Sequence, residues 1–136
     1  MKFFLVIYIL LSNLVFGDLY TWEVKRVVDG DTVELKVDFL PKELGDKLLL
    51  RVWGVDTPEK GRRASSEEEK ELGLKASEYT SNLIKNSKEI KIKLISWDKY
   101  GGRILGDLII DGQSLRDLLL KNGYAKPYFG DKKEAW

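Results

Sequence analysis

The chain contains no cysteine and no histidine. Without cysteine there are no disulfides and no thiol nucleophile, and without histidine there is no serine–histidine relay. Together the two absences remove the usual zinc sites. A net charge of one sign is also missing. Residues 1–17 carry Lys2 and no acid, so removing that lysine from 23 Lys and Arg leaves 22 against 22 Asp and Glu, a formal charge of zero for residues 18–136. A neutral chain has no global field for a polyanion, and any such binding has to come from a local cluster. The chemistry left open is that of carboxylates, Arg, Lys, Tyr and hydroxyls.

Long apolar runs are confined to the start. "MKFFLVIYILLSNLVFG" has a lysine at position 2, an apolar stretch from Phe3 to Phe16 broken only by Ser12 and Asn13, and a closing Gly17. That is the grammar of a signal peptide cut before Asp18; a membrane-spanning helix needs about 20 apolar residues. The expectation is export, to a periplasm, a cell surface or the medium, with an uncleaved N-terminal anchor as the alternative. Residues 18–136 are then the length of one ordinary domain.

Within that domain, "WEVKRVV" (22–28), "DTVELKVDF" (31–39) and "KLLLRVWGV" (47–55) are rich in β-branched and aromatic residues and separated by turn signals, so they predict a three-stranded meander. From Ser66 the period changes. Leu72, Ala76, Tyr79, Leu83 and Ile84 form a helical stripe, and Ser66 with Glu69 fits a capping box, which predicts a helix over about 67–85. "EIKIKLI" and "RILGDLII" predict a second hairpin, and Ser114 caps "LRDLLLKN" ahead of Gly123. The order βββ-α-ββ-α predicts an α+β, mainly β domain, a five-stranded OB-fold-like barrel with two helices.

Three short segments crowd polar groups into this frame. Asp29-Gly30-Asp31-Thr32 lies at the first turn and, taken alone, reads as a solvated Asp-Gly hairpin. Arg51 sits mid-strand among Leu and Val, where an unpaired cation is costly to bury, and so requires anions. Strand parity sets Arg51 and Asp56 on opposite faces unless the strand bulges or ends between them, and Gly54 suits such a break. Thr57 precedes Pro58 and is biased to extended backbone, with Glu59 next on the turn. These carboxylates either pair with Arg51 or converge on a hard cation, for which oxygen-only ligands favour Ca²⁺ or Mg²⁺. "DKYGGR" (98–103) adds Lys99, Tyr100 and a second guanidinium, Arg103, around a glycine turn. Two arginines beside carboxylates suit attack on a phosphodiester, and lysine, lacking the bidentate fork, would clamp less well.

"VVDGDTVEL", "RVWGVDTPE" and "DKYGGR", in that order with a helix between the last two, resemble the staphylococcal nuclease family over about residues 22–128. The resemblance implies a Ca²⁺-dependent nuclease on an OB-fold, hydrolysing DNA and RNA to 3′-phosphates, with no permanent protein partner and acting as a monomer. It implies Asp31, Asp56 and the Thr57 carbonyl as metal ligands, Glu59 as the water-directing base, and Arg51 and Arg103 as phosphate clamps. Lys99, Tyr100 and Tyr128 would contact the nucleotide. Three features depart from the family pattern: Gly101 and Gly102 together lengthen the turn before Arg103, the neutral chain leaves only local basic patches, "KGRR" (60–63) and Lys132-Lys133, and Tyr128 is offset by a residue from the family's base-stacking tyrosine, so that packing at the barrel mouth is its alternative role. An inactive OB module binding single-stranded nucleic acid is the alternative, although such a module has no need of the acids at 31, 56 and 59. A secreted structural domain with a calcium-stabilised turn is a further one, and it leaves both arginines without a purpose.

Overall fold

A computed structural model describes residues 18–131, 133, 135 and 136. The apolar segment 1–17, read as a signal peptide or anchor, lies outside the described residues, as do Lys132 and Glu134. No described helix is long and apolar enough to cross a membrane.

Four of the strands expected from the sequence are β2 (Glu23–Asp29), β3 (Thr32–Lys36), β6 (Ile90–Trp97) and β7 (Arg103–Ile110). The fifth divides in two, β4 (Lys47–Val52) and β5 (Gly54–Asp56). Short strands β1 (Leu19–Tyr20), β8 (Gln113–Ser114) and β9 (Lys126–Tyr128) complete the set, none of them foreseen because two or three residues carry no readable period. The main sheet runs β1-β6-β7-β4-β3-β2 and is open between its ends, an OB-type arrangement rather than a fully paired barrel. Its one parallel pairing, β4 with β7, joins the meander to the second hairpin.

The alternation in β3 decides which side is inside. Val33 and Leu35 are fully buried, and they pack with Leu50 and Val52 of β4, Ile92 of β6 and Leu108 of β7. Helix α2 (Leu115–Lys121) closes this core with Leu115 and Leu119; its N-cap Ser114 accepts a hydrogen bond from the Asp117 amide at 3.2 Å. Each such fully buried side chain contributes roughly 1.5–3 kcal/mol.

Helix α1 (Glu67–Lys85) has the expected bounds, and Ser66 Oγ accepts from the Glu69 amide at 3.1 Å. Of the expected stripe, Ala76 is buried and Tyr79, Leu83 and Ile84 pack against the core, whereas Leu72 does not. Leu72 is 43% exposed, while Gly73, Ala76, Ser77 and Thr80 face inward. The reason is proximity: Thr80 Oγ1 donates to the Gly30 carbonyl at 2.7 Å, and a Cβ on Gly73 would stand 2.7 Å from the Glu59 carbonyl. The helix therefore lies on two loops, the one carrying Asp31 and the one carrying Glu59. Only small residues permit that approach.

Candidate active site

Arg51 organises the site because a cation within an apolar strand must find anions. β4 ends at Val52, and Gly54, with φ +86°, turns the chain before β5 begins. That conformation suits glycine. The break carries Asp56 round to Arg51, whose Nη2 donates to Asp56 Oδ1 and to the Val55 carbonyl, both at 3.2 Å. The same Nη2 lies 3.6 Å from Asp31 Oδ2. Strand register explains this second contact, since Thr32 pairs directly with Arg51.

Asp31 and Asp56 are both buried. Asp31 accepts from Thr32 Oγ1 at 2.9 Å and from the Thr57 amide at 3.1 Å, which ties the first turn to the segment after β5. Glu59 follows on that segment. Its amide donates to Glu69 Oε1 at 3.5 Å, and Glu69 also accepts from the Ser65 amide and hydroxyl. In a reciprocal capping box Glu69 would reach back to Ser66; here it holds Ser65 and the Glu59 backbone, and those bonds keep its carboxyl below the usual range.

Charge in this cluster is unbalanced. Burial pushes the Glu59 carboxyl above its ordinary value; Lys133 opposes the shift, and Asp29, Asp31 and Asp56 add to it. Asp29 is raised in the same way, by burial and then by Asp31. Burial pulls the Arg51 guanidinium down, but Asp31 and Asp56 outweigh it and the net direction is up. Lys133 Nζ stands 3.1 Å from Asp56 Oδ1 and 3.8 Å from Glu59 Oε1.

A cavity of about 470 Å³ adjoins the acids. Arg51, Lys99, Tyr100, Arg103, Tyr128 and Lys133 are among its lining residues, whereas Asp31, Asp56, Thr57 and Glu59 are not. Arg51 and Lys133 line the cavity and also contact the acids, so the two compartments adjoin through those cations. Arg103 pairs with Leu49 across the parallel β4–β7 ladder, two residues from Arg51 and on the same face. Gly101 and Gly102 both take positive φ, and the lengthened turn still closes, with the Asp98 amide donating to the Arg103 carbonyl at 3.0 Å. Arg103 Nε donates to the Asp98 carboxylate, which that bond holds below its ordinary pKa.

Tyr128 reaches the cavity through β9, where it pairs with Gly54 of β5, and the Arg51 guanidinium lies 5.6 Å from its ring centroid. Tyr100 is 81% exposed, with the Lys99 ammonium 5.0 Å from its ring. Trp97 stands exposed on the rim of the same cavity. The sequence reading assigns no place in the site to Asp98, Glu69, Gly73 or Lys133, although Glu69 is legible as part of a helix cap. Asp98 had a signal, as the acid opening a turn that an arginine closes; Lys133 had been grouped with a basic patch, and here it faces acids.

The candidate metal donors are two carboxylates and a main-chain carbonyl. Among the described residues no group of three or more His, Cys, Asp or Glu side chains is spaced to hold an ion by itself. The set is all oxygen, its acids carry excess negative charge, and a side-chain cation already stands against Asp56. Those properties fit a hard divalent ion completed by water.

An OB-type sheet carrying buried carboxylates bridged by one guanidinium, with a second guanidinium in the adjoining cavity, defines a protein suited to handling a phosphate diester. The model of the staphylococcal nuclease homologue family matches residues 49–135, and the chain belongs to that family. It is 37% identical over 116 residues to endonuclease YhcR of Bacillus subtilis, covering 81% of this chain and 9% of that protein. It is 32% identical over 133 residues to an uncharacterized protein of Methanocaldococcus jannaschii, covering 82% and 61%. Identity to the thermonuclease of Staphylococcus hyicus is 31% over 110 residues, covering 80% and 60%. The chain thus spans about a tenth of the first relative and about three fifths of the other two.

Proposed function

We propose that this domain is an exported, Ca²⁺-dependent nuclease that hydrolyses DNA and RNA to 3′-phosphate ends. The observation that carries the reading is the position of Arg51, which touches Asp31 and Asp56 on one side and lines the cavity with Arg103 on the other. A phosphate held by both guanidiniums therefore lies next to the acids.

Asp31, Asp56 and the Thr57 carbonyl would hold the ion, which when bound supplies a Lewis acid for a non-bridging phosphate oxygen. Glu59 orients a water and accepts its proton as the water oxygen bonds to phosphorus. The P–O5′ bond breaks, the 5′ oxygen takes up a proton, and the phosphate stays on the 3′ side. Arg51 and Arg103 donate to equatorial oxygens whose charge grows as phosphorus becomes pentacoordinate. For Arg103 this means exchanging Asp98 for phosphate. Tyr128, Tyr100 and Lys99 line the space for the nucleotide, with the aromatic rings available for stacking.

Residues 18–136 incubated with single-stranded DNA and with RNA should give product on a gel when Ca²⁺ is present and none when it is chelated. Binding without product at any Ca²⁺ concentration would favour the inactive module instead.

A further inference from the structure

Lys133, which the sequence offers only as part of a basic patch, stands against acids. Its ammonium contacts Asp56 and Glu59 and lies 5.4 Å from the Tyr128 ring centroid. The side chain is 45% exposed, so it reaches in from solvent and is not part of the core. The chain end is tied down close by: Lys126 Nζ donates to the Ala135 carbonyl and stands 4.6 Å from the Trp136 ring centroid. Lys60 Nζ donates to Ser77 Oγ at 3.3 Å, and among the described ion pairs Arg51 and Lys133 are the cations that stand against Asp31 and Asp56. One guanidinium cannot neutralise those two acids together with Glu59, and the lysine supplies part of the remainder.

We propose that Lys133 is a resident cation of the acid compartment, held by Asp56 and Glu59 in the metal-free protein and displaced when a divalent ion binds the same acids. The inference rests on the calcium reading above. An ammonium 3.1 Å from Asp56 Oδ1 competes with a calcium ion for that carboxylate and repels it, and unlike Arg51 it stands on a half-exposed side chain that can swing away. Metal affinity is therefore reduced by the fraction of protein in which the lysine is docked. Displacement leaves the ammonium in the cavity it already lines, beside Arg51 and Tyr128, where a phosphate is its next partner.

The test is calorimetric titration with CaCl₂ in the absence of nucleic acid, so the readout is metal affinity and not turnover. Lys133→Met should bind Ca²⁺ about threefold to tenfold more tightly than the parent, as expected for removing contacts worth up to about fivefold each. Lys133→Arg, which restores a cation of similar reach, should return affinity to within about twofold of the parent. Lys99→Met removes the same charge from the cavity without touching either acid and should leave the Ca²⁺ affinity of the parent unchanged. Equal tightening by Lys133→Met and Lys99→Met would overturn the proposal in favour of a general charge effect. So would unchanged affinity in Lys133→Met, and in that case measurable binding by the parent would leave the calcium reading standing. If neither the parent nor Lys133→Met binds Ca²⁺, both readings fall.

Discussion

At the scale of single residues the site holds its acids against electrostatic opposition. Glu59 is raised by burial and by the carboxylates of Asp29, Asp31 and Asp56, so at neutral pH its ionised form disfavours the folded state. The sign is that of a carboxyl with an elevated folded pKa: stability falls as pH rises through its titration, and nothing is gained by keeping it charged. Glu59→Gln removes the charge and keeps the shape. The variant should melt at the same temperature as the parent or a few degrees higher, while its rate on single-stranded DNA falls on the order of 100-fold or more. A melting scan beside a rate assay checks both halves, and an undiminished rate would remove Glu59 from the role of base. Asp98 points the other way. Its carboxyl is lowered by the Arg103 hydrogen bond, so that pair contributes to folding at neutral pH and is lost as the pH drops through Asp98's depressed titration range.

At the scale of elements, helix α1 positions the loops that carry Asp31 and Glu59 as well as covering the sheet. Gly73 lets the Glu59 and Lys60 backbone lie against the helix, and a methyl group there would meet main-chain atoms at 2.7 Å, which cannot rotate aside. Gly73→Ala should therefore lower the rate by up to about 100-fold through displacement of Glu59. Its effect on stability combines about 1 kcal/mol of gained helix propensity with about 1–3 kcal/mol of overpacking. Leu72→Ala, on the exposed side of the same helix, should alter neither by much, and the two variants compared by kcat and thermal melting separate position from helix content. This helix also shows where sequence reading succeeds and fails. Its bounds were legible because capping and termination are local chemistry. Its contact face was legible only in part: a 3.6-residue period finds the apolar stripe of Ala76, Tyr79, Leu83 and Ile84, whereas Gly73, Ser77 and Thr80 are selected by closeness to another backbone. The site divides in the same way. The meeting of Arg51 and Asp56 was legible from the glycine between them, while the pairing of β5 with β9 depends on a strand three residues long and on contacts far apart in sequence.

At the scale of the whole molecule, a chain with zero formal charge after residue 17 attracts nucleic acid only through its clustered cations. If Arg51, Arg103 and Lys99 are the groups that meet phosphate, the logarithm of affinity for a single-stranded oligonucleotide should fall against the logarithm of salt with a slope of about −2. A fluorescence titration across salt concentrations reads this directly. A slope several units steeper would mean that the exposed "KGRR" segment, or other basic surface, carries much of the binding. Arg51 stands in both compartments of the site, with one face to the acids and one to the cavity. Its guanidinium is thus a shared joint: on the proposed reading, a change that loosens grip on the strand also alters the field felt by Glu59, so tightness and speed are coupled through that position.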